Sequence, residues 1–275
     1  MIDSVVEKSK PLRLKAFSEN LEQVVQQAAQ KNWASLKVID HLLTLELEAR
    51  TRNSIALRFK QSKLAEKVTI DQFDFNFHSS RTKQKSRILD LMAVDFVSQK
   101  KDIILIGNPG VGKSFLAKCI AYAATQANIK TLFTTTMDLI NHLIAAEADH
   151  SLLKKLHYYQ SPDLLVCDEI GYLPLGTQGS NLFFQVISQR HEKKCTIITT
   201  NLPFADWGKI FDSTTVPQRL PTVSFTTPRS LYWRDQVIGK KIRKGDQTKK
   251  IKTHGTYRRL RRLALPHFQA IRFKQ

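Results

Sequence analysis

The sequence Asp102-Ile-Ile-Leu-Ile-Gly107-Asn-Pro-Gly-Val-Gly-Lys-Ser114 joins a short apolar run to a glycine-rich loop. An apolar run of this length that ends in glycine is typical of a strand buried in a parallel sheet. The loop fits the pattern G-x-x-x-x-G-K-[ST], and the residues after it predict a helix over 113–127. Strand, loop and helix in this order indicate a phosphate-binding P-loop rather than a glycine-rich turn formed by chance.

The loop carries the groups that bind a nucleoside triphosphate. Its glycines let backbone N–H groups approach phosphate oxygens, and the N-terminus of the following helix adds partial positive charge. We expect Lys113 to reach the β- and γ-phosphates of ATP and the Ser114 hydroxyl to bind Mg²⁺. The predicted ATP-binding residues are Gly107, Asn108, Pro109, Gly110, Val111, Gly112, Lys113 and Ser114.

Strand-like and helix-like segments alternate around this loop. The alternation predicts a parallel sheet flanked by helices, in the α/β class. The predicted strands cover 102–107, 131–135, 164–168 and 195–200, and the predicted helices cover 83–99, 113–127, 137–147 and 180–191.

An acidic pair, Asp168-Glu169, follows the apolar run Leu164-Leu-Val-Cys. Open α/β sheets bind ligands at the carboxyl ends of their strands, so we expect the pair to lie at the P-loop edge. Asp168 would hold Mg²⁺ through water, and Glu169 would act as the general base on the attacking water. A solvated strand end is the alternative, and the presence of a P-loop disfavours it.

A further predicted strand ends in Thr199-Thr-Asn201, one β-α unit after the acidic pair. We expect Asn201 to position the lytic water or to contact the γ-phosphate, and the alternative is a turn asparagine. Because an acidic pair suits attack by water, an ATPase is expected rather than a small-molecule kinase.

The texture of the sequence divides the chain into three parts. Residues 1–68 repeat apolar side chains at helical spacing and predict a small all-helical N-terminal domain with its linker. Residues 69–216 hold the ATP-binding core, which opens with an alternating segment, 69–77, that resembles an extended connector. Residues 217–275 form a basic tail, predicted to be irregular or poorly ordered because prolines crowd its start.

Several features point to a cytoplasmic protein. No apolar run is long enough to span a membrane, and Met1–Lys15 lacks the apolar core of a signal peptide. Cys119, Cys167 and Cys195 lie in separate apolar stretches, which favours buried thiols over disulfides or a metal site.

Four segments together resemble the IstB family, the AAA+ helper ATPases of insertion-sequence transposons, which are related to the helicase loader DnaC. They are Gly107–Ser114, Asp168-Glu-Ile-Gly-Tyr-Leu-Pro-Leu175, Leu182-Phe-Phe-Gln-Val-Ile-Ser-Gln-Arg190 and Thr199-Thr-Asn-Leu-Pro-Phe-Ala-Asp-Trp207. Two more, Arg13-Leu-Lys-Ala-Phe17 and Thr69-Ile-Asp-Gln-Phe-Asp-Phe75, resemble the family's N-terminal helices and linker. The resemblance covers about residues 10–216.

The resemblance implies an AAA+ core that binds ATP and assembles as a homo-oligomer on duplex DNA. It also implies a partner, the transposase of the same element, and no membrane. The N-terminal helices would engage the partner and DNA, and the linker would help to hold adenine. That linker role falls on Phe73 and Phe75, for which packing in the core is an equal alternative.

The resemblance stops after Val216. The family continues with a helical lid that carries two arginines. One, in an Ala-Asp-Arg-Leu segment, reaches the nucleotide of a neighbouring subunit, and the other, in a Ser-Tyr-Arg segment, senses ATP in its own subunit. This chain reads Pro217-Gln-Arg-Leu-Pro-Thr-Val-Ser-Phe-Thr-Thr-Pro-Arg-Ser230 instead. Without those arginines, hydrolysis and ATP-dependent assembly are expected to be poor.

Our hypothesis for this departure is a reading frame that shifts near codon 216. Leu220 to Ser224 can be encoded by TTG CCG ACC GTC TCG, whose neighbouring frame reads Ala-Asp-Arg-Leu. Gln236 to Gly239 can be encoded by CAA GTT ATA GGA, and the same neighbouring frame contains Ser-Tyr-Arg. With these codons, both lid motifs can be read in one shifted frame and in the expected order.

Most of the net charge of +19 lies in the tail. Residues 1–216 hold 27 Lys and Arg against 22 Asp and Glu, whereas residues 217–275 hold 16 against 2. The tail is either an out-of-frame product or a genuine DNA-binding arm. In both cases its clustered cations should bind nucleic acid nonspecifically.

We therefore expect an ATP-binding helper protein for DNA transposition that binds duplex DNA and a transposase, with impaired hydrolysis. Two alternatives remain: a DnaC-like helicase loader, and a nonspecific DNA-binding protein with a vestigial ATP site. Arg190 has two interpretations, an arginine that acts on a neighbouring subunit or a solvated residue on a helix surface.

Overall fold

The N-terminal unit, Met1–Lys60, is built from helices. They are α1 (Ile2–Ser9), α2 (Lys15–Gln30) and α3 (Ser35–Gln61). Apolar side chains at helical spacing bury Leu21 and Val24 of α2 against Leu42 of α3. This computed structural model describes residues 2–77, 79–172, 174–203, 206–207, 211 and 268–272.

A buried acid ties two of these helices together. Glu46 of α3 accepts a hydrogen bond of 3.1 Å from the backbone N–H of Phe17, near the start of α2. Its other carboxylate oxygen accepts a hydrogen bond of 2.8 Å from Nε of Arg50. The bond from the Phe17 backbone, followed by that from Arg50, lowers the pKa of the Glu46 carboxyl against the opposing effect of burial. The carboxylate thus satisfies one of the free N–H groups at the helix start.

The second unit, Gln61–Gln275, holds a five-stranded sheet in the order β2-β3-β4-β1-β5. Each neighbouring pair of strands is parallel. The strands are β1 (Asp102–Ile106), β2 (Thr131–Thr135), β3 (Leu164–Ile170), β4 (Cys195–Thr200) and β5 (Phe268–Arg272). The sheet confirms the α/β class predicted from the alternating pattern.

Helices pack against this sheet. Leu116, Ile120 and Ala124 of α6 are fully buried, and α6 contacts strands β1 to β4. Alternate residues of β1, Ile104 and Ile106, belong to a separate core cluster with side chains of α7, α8 and α9. The helices of this unit are α4 (Ser79–Met92), α5 (Asp95–Ser98), α6 (Lys113–Gln126), α7 (Thr136–Ala148), α8 (Leu152–Gln160) and α9 (Gly176–Arg190).

The structure differs from the sequence expectations in four elements. The helix predicted over 83–99 is interrupted at Val94, which has φ +55° and separates α4 from α5. The segment that opens the core is no extended connector, because Ile70–Gln72 forms a 3₁₀ turn in which the Gln72 side chain accepts a hydrogen bond of 3.4 Å from the backbone N–H of Thr69. Helix α8 and strand β5 had no counterpart among the predicted elements. Residues 212–267, which include the lid region and most of the basic tail, lie outside the described residues.

None of the helices in the described part of the chain is both long and apolar enough to cross a membrane.

Candidate nucleotide site

A cavity of about 280 Å³ opens where the P-loop meets the carboxyl ends of β3 and β4. This edge is where open parallel sheets place their ligands. The lining residues are Pro109, Gly110, Gly112, Lys113, Ser114, Phe115, Glu169, Tyr172, Thr199, Thr200 and Asn201. The fold thus brings together three segments that lie up to ninety residues apart in sequence.

Seven of the predicted site residues line this cavity, and four do not. The seven are Pro109, Gly110, Gly112, Lys113, Ser114, Glu169 and Asn201. The other four, which do not line the cavity, are Gly107, Asn108, Val111 and Asp168. Their carbonyl and carboxylate oxygens accept hydrogen bonds from the side chains of Lys113, Arg81 and Thr199.

The glycines of the loop adopt backbone angles that other residues rarely take. Gly110 has φ +80° and Gly112 has φ +94°, both in the left-handed region. Gly112 immediately precedes α6, so the chain turns sharply into the helix. A Cβ built on Gly112 would lie 2.8 Å from the Phe73 ring, whereas one built on Gly110 meets no atom within 4 Å. The position after Val111 therefore demands glycine for two separate reasons.

Lys113 begins α6 and folds back over the loop. Its Nζ donates to the carbonyl oxygens of Gly107 at 2.8 Å and Asn108 at 2.7 Å. Burial lowers the pKa of its ammonium group to about 8, against the opposing attraction of Asp168 and Glu169. The charge is thus held beside the acidic pair at the edge where phosphates would bind.

The acidic pair has two different environments. Asp168 is 5% exposed, and its Oδ1 accepts a hydrogen bond from the Thr199 hydroxyl. Glu169 is the exposed residue of β3, with φ +61° at an irregularity in the β3–β4 pairing. Its side chain lines the cavity.

The donor set at this edge suits magnesium. Mg²⁺ prefers hard oxygen ligands and usually combines one or two protein groups with substrate phosphates and water. The hydroxyl of Ser114 and the carboxylates of Asp168 and Glu169 are oxygens of this kind. The residues present therefore fit a phosphate-bound Mg²⁺.

The linker packs directly against the P-loop. Phe73 is buried, contacts Phe75 at 5.1 Å between ring centroids, and stacks on cavity-lining Phe115 at 5.9 Å. Arg81 of α4 lies over the Phe73 ring at 4.5 Å and donates to the Val111 carbonyl at 3.2 Å. Phe73 therefore has the packing role that the sequence left open, and its contact with Phe115 places it next to the cavity.

Arg190 is neither solvated nor available to a neighbouring subunit. It is 1% exposed at the end of α9. Its guanidinium donates to four backbone carbonyls and one hydroxyl, which belong to Tyr159, Gln160, Pro162, Cys195 and Thr196. Both sequence interpretations of this residue are wrong, because the five acceptors converge on a buried site that helix periodicity could not reveal.

Four lining residues escaped the sequence analysis. Thr199 and Thr200 end β4 directly before Asn201, so their position beside a predicted site residue was the available signal. Phe115 follows the P-loop serine, and Tyr172 follows the acidic pair by three positions with 73% of its surface exposed. Aromatic residues next to a P-loop carry no signal of their own without the fold.

Solved structures of replication proteins are partly similar to this chain. The structure of the DnaC helicase loader has 24% identity and a TM-score of 0.45, and covers 56% of this chain and 86% of its own. The structure of AMPPCP-bound DnaA from Aquifex aeolicus has 16% identity and a TM-score of 0.49, and covers 57% of this chain and 48% of its own.

Sequence relatives cover more of the chain. An ATP-binding protein of insertion sequence IS232 from Bacillus thuringiensis is 35% identical over 73% of this chain and 79% of the relative. That of IS5376 from Geobacillus stearothermophilus is 35% identical over 72% and 78%. That of IS21 from Pseudomonas aeruginosa is 34% identical over 73% and 75%.

The sequence profile of a family described as IstB-like ATP binding protein matches residues 7–220. The match includes helices α2 and α3, the P-loop, the acidic pair and Asn201, and it ends at Leu220, within the segment that begins at Pro217. With this match and relatives at 35% identity, the chain belongs to the IstB-like ATP-binding proteins of IS21-type insertion sequences.

Proposed function

We propose that this protein is an ATP-binding helper of DNA transposition that binds duplex DNA and the transposase of its own element, with weak ATP hydrolysis. The observation that carries the proposal is the cavity that unites the P-loop, Glu169 and Asn201 in a chain of the IstB-like family. ATP and DNA are both present in the cytoplasm, which is the location that the proposal implies.

Each part of the cavity has a role in this proposal. The backbone of Gly107–Ser114 cradles the phosphates, and Lys113 neutralises the β- and γ-phosphates. Ser114 and Asp168 hold Mg²⁺, which supplies charge neutralisation at the phosphates when bound. Glu169 takes the proton of the attacking water, and Asn201 orients that water.

Weak hydrolysis follows from the arginines. The sequence lacks both lid segments of the family in the frame that is read, and Arg190 is enclosed by five acceptors. Arginine fingers in other nucleotide hydrolases contribute roughly 10³–10⁵ in turnover. The proposed protein therefore binds Mg-ATP but turns it over slowly, and its oligomer on DNA is correspondingly weak.

A binding experiment tests the DNA and transposase parts of the proposal. The full chain is mixed with labelled duplex DNA and with the transposase encoded beside it, with ATP, with ADP or without nucleotide. We expect transposase capture that strengthens with ATP in the parent and is lost in Lys113→Ala. The same experiment is run with a replicative helicase in place of the transposase. Capture of the helicase and not of the transposase would favour the helicase-loader alternative.

The basic tail favours a second candidate function, nonspecific DNA binding with a vestigial ATP site. Seven cations lie between residues 240 and 252: Lys240, Lys241, Arg243, Lys244, Lys249, Lys250 and Lys252. Replacing them with glutamine should weaken DNA binding and flatten its salt dependence, because each phosphate contact contributes about −0.9 to the slope of log K against log salt. DNA binding that depends on these cations and is unchanged in Lys113→Ala would favour this second function.

A further inference from the structure

We propose that Thr199 is a positioning residue that holds the two acids, Asp168 and Glu169, in the geometry needed for Mg²⁺-dependent nucleotide binding. The inference rests on the proposed function of the cavity as a Mg-ATP site. Thr199 lies outside the P-loop and the acidic pair, and its proposed role depends on its hydroxyl group.

The Thr199 hydroxyl makes two hydrogen bonds of opposite sense. Its Oγ1 accepts a bond of 2.8 Å from the backbone N–H of Glu169 and donates to Oδ1 of Asp168. Thr199 is 1% exposed, so water does not compete for these bonds. The hydroxyl group thus fixes both the backbone N–H of Glu169 and the carboxylate of Asp168.

The strand pairing explains why a hydroxyl is needed at this place. Strands β3 and β4 pair in register through Cys167 with Ile198, and pairing resumes at Ile170 with Thr200. Two residues of β3, Asp168 and Glu169, therefore lie opposite the one residue Thr199, which is a β-bulge. A bulge leaves a backbone N–H without its ladder partner, and here the Thr199 side chain accepts that bond.

The bulge also has a chemical consequence. Successive side chains of a regular strand point to opposite faces of the sheet. At the bulge Glu169 takes φ +61°, a left-handed conformation that a non-glycine residue keeps only where its surroundings hold it. Because of this turn Glu169 reaches the cavity while Asp168 stays buried beside it. The Thr199 hydroxyl is the contact that stabilises both positions.

The experiment compares Thr199→Val with Thr199→Ser. Valine keeps the shape of threonine without the hydroxyl, and serine keeps the hydroxyl. Thr131→Val is the matched control, because Thr131 is also a buried strand threonine that donates to a backbone carbonyl, that of Ile129. The dissociation constant of a fluorescent ATP analogue is measured in EDTA and in Mg²⁺, and the ratio of the two values gives the gain from Mg²⁺.

We expect Thr199→Val to keep the affinity in EDTA within about twofold and to lose about tenfold of the gain from Mg²⁺, the usual scale for a group that orients a metal ligand. Thr199→Ser and Thr131→Val should keep the gain. Thr199→Cys, with a weak donor of similar size, is a second variant and should fall between valine and serine. A gain from Mg²⁺ that survives in Thr199→Val, or that serine fails to restore, would overturn the inference.

A second readout needs no nucleotide. Amide hydrogen exchange of the peptide that spans 164–172 should be faster in Thr199→Val than in the parent and normal in Thr199→Ser, because the Glu169 N–H loses its acceptor only in valine. Unchanged exchange in Thr199→Val would also overturn the inference. If the parent binds ATP no better than Lys113→Ala, the proposed function fails, and the exchange result still decides the role of Thr199.

Discussion

Lys113 illustrates how one side chain combines stability and binding. Its ammonium group is buried among loop carbonyls, and burial lowers its pKa to about 8. Between this value and the ordinary 10.5, the folded state binds fewer protons than the unfolded state. The contribution of Lys113 to stability therefore rises with pH across this window, and below about pH 8 its burial as a cation lowers stability.

The affinity for ATP should show the opposite trend. As pH rises from 7 to 9, Lys113 loses its proton and with it the charge that attracts phosphate, so we expect affinity to fall by about fivefold to tenfold. Titration of a fluorescent ATP analogue at each pH measures this. Lys113→Arg is the control, because arginine stays charged across the range. An affinity that is flat in the parent, or equally steep in Lys113→Arg, would contradict the assignment.

Arg190 has a structural role in the fold. Its five hydrogen bonds join the end of α9 to the segments around Tyr159, Pro162 and Cys195. Removing the guanidinium leaves buried acceptors without donors, each at a penalty of about 1–3 kcal/mol.

We therefore expect Arg190→Met to lower the melting temperature by at least about 10 °C, because five unpaired acceptors cost about 5 kcal/mol or more and each kcal/mol corresponds to about 2–4 °C in a domain of this size. Thermal unfolding without nucleotide measures this, and Lys193→Ala, at an exposed position three residues later, should change it little. A normal melting temperature together with lost ATP hydrolysis in Arg190→Met would restore the interpretation that this arginine acts on a neighbouring subunit.

At the scale of elements, the linker and the P-loop stabilise one another. The Phe73 ring lies against Gly112, and Arg81 bridges the ring and the Val111 carbonyl. The αL conformation of Gly112 gives α6 its starting direction, and Phe73 occupies the space that a side chain at this position would need.

Alanine substitutions in the loop separate these two constraints. Gly110→Ala meets only the unfavourable backbone angle, which costs roughly 1–2 kcal/mol. Gly112→Ala meets the same angle and also the Phe73 ring, so it should lower the melting temperature clearly further. Equal melting temperatures for the two variants would show that the Phe73 ring does not restrict the side chain at position 112.

The sequence predicted the elements that carry strong local patterns. The apolar run of β1, the P-loop and the start of α6 at Lys113 were all located from residue type and spacing. Helix α8 was missed because Leu152–Gln160 holds both lysines and tyrosines and its apolar face is short. The bulge at Glu169 and the cage around Arg190 depend on contacts between distant segments, and no local pattern encodes such contacts.

At the scale of the whole chain, the sheet is completed by residues far from the family match. Strand β5, Phe268–Arg272, pairs in parallel with all five residues of β1, from Asp102 to Ile106. The profile match ends at residue 220, so this strand lies in the part of the chain that has no counterpart in the match. The pairing covers the edge of the strand that leads into the P-loop.

Truncation tests whether this pairing matters. Deleting residues 268–275 should expose the β1 edge, lower the melting temperature and increase aggregation, because an unpaired strand edge is a template for association. Deleting only residues 273–275 keeps the strand and should have little effect. If the two truncated chains behave alike, β5 contributes nothing to the stability of the sheet.

Whether the cavity is an ATP site is tested most directly by equilibrium binding of a fluorescent ATP analogue in Mg²⁺ to the parent and to Lys113→Ala. We predict saturable binding by the parent that unlabelled ATP displaces, and a loss of at least about tenfold in the variant, since Lys113 is the cation that we propose binds the phosphates. Binding of equal strength to both proteins, or none to the parent, would contradict the claim that this cavity is an ATP site.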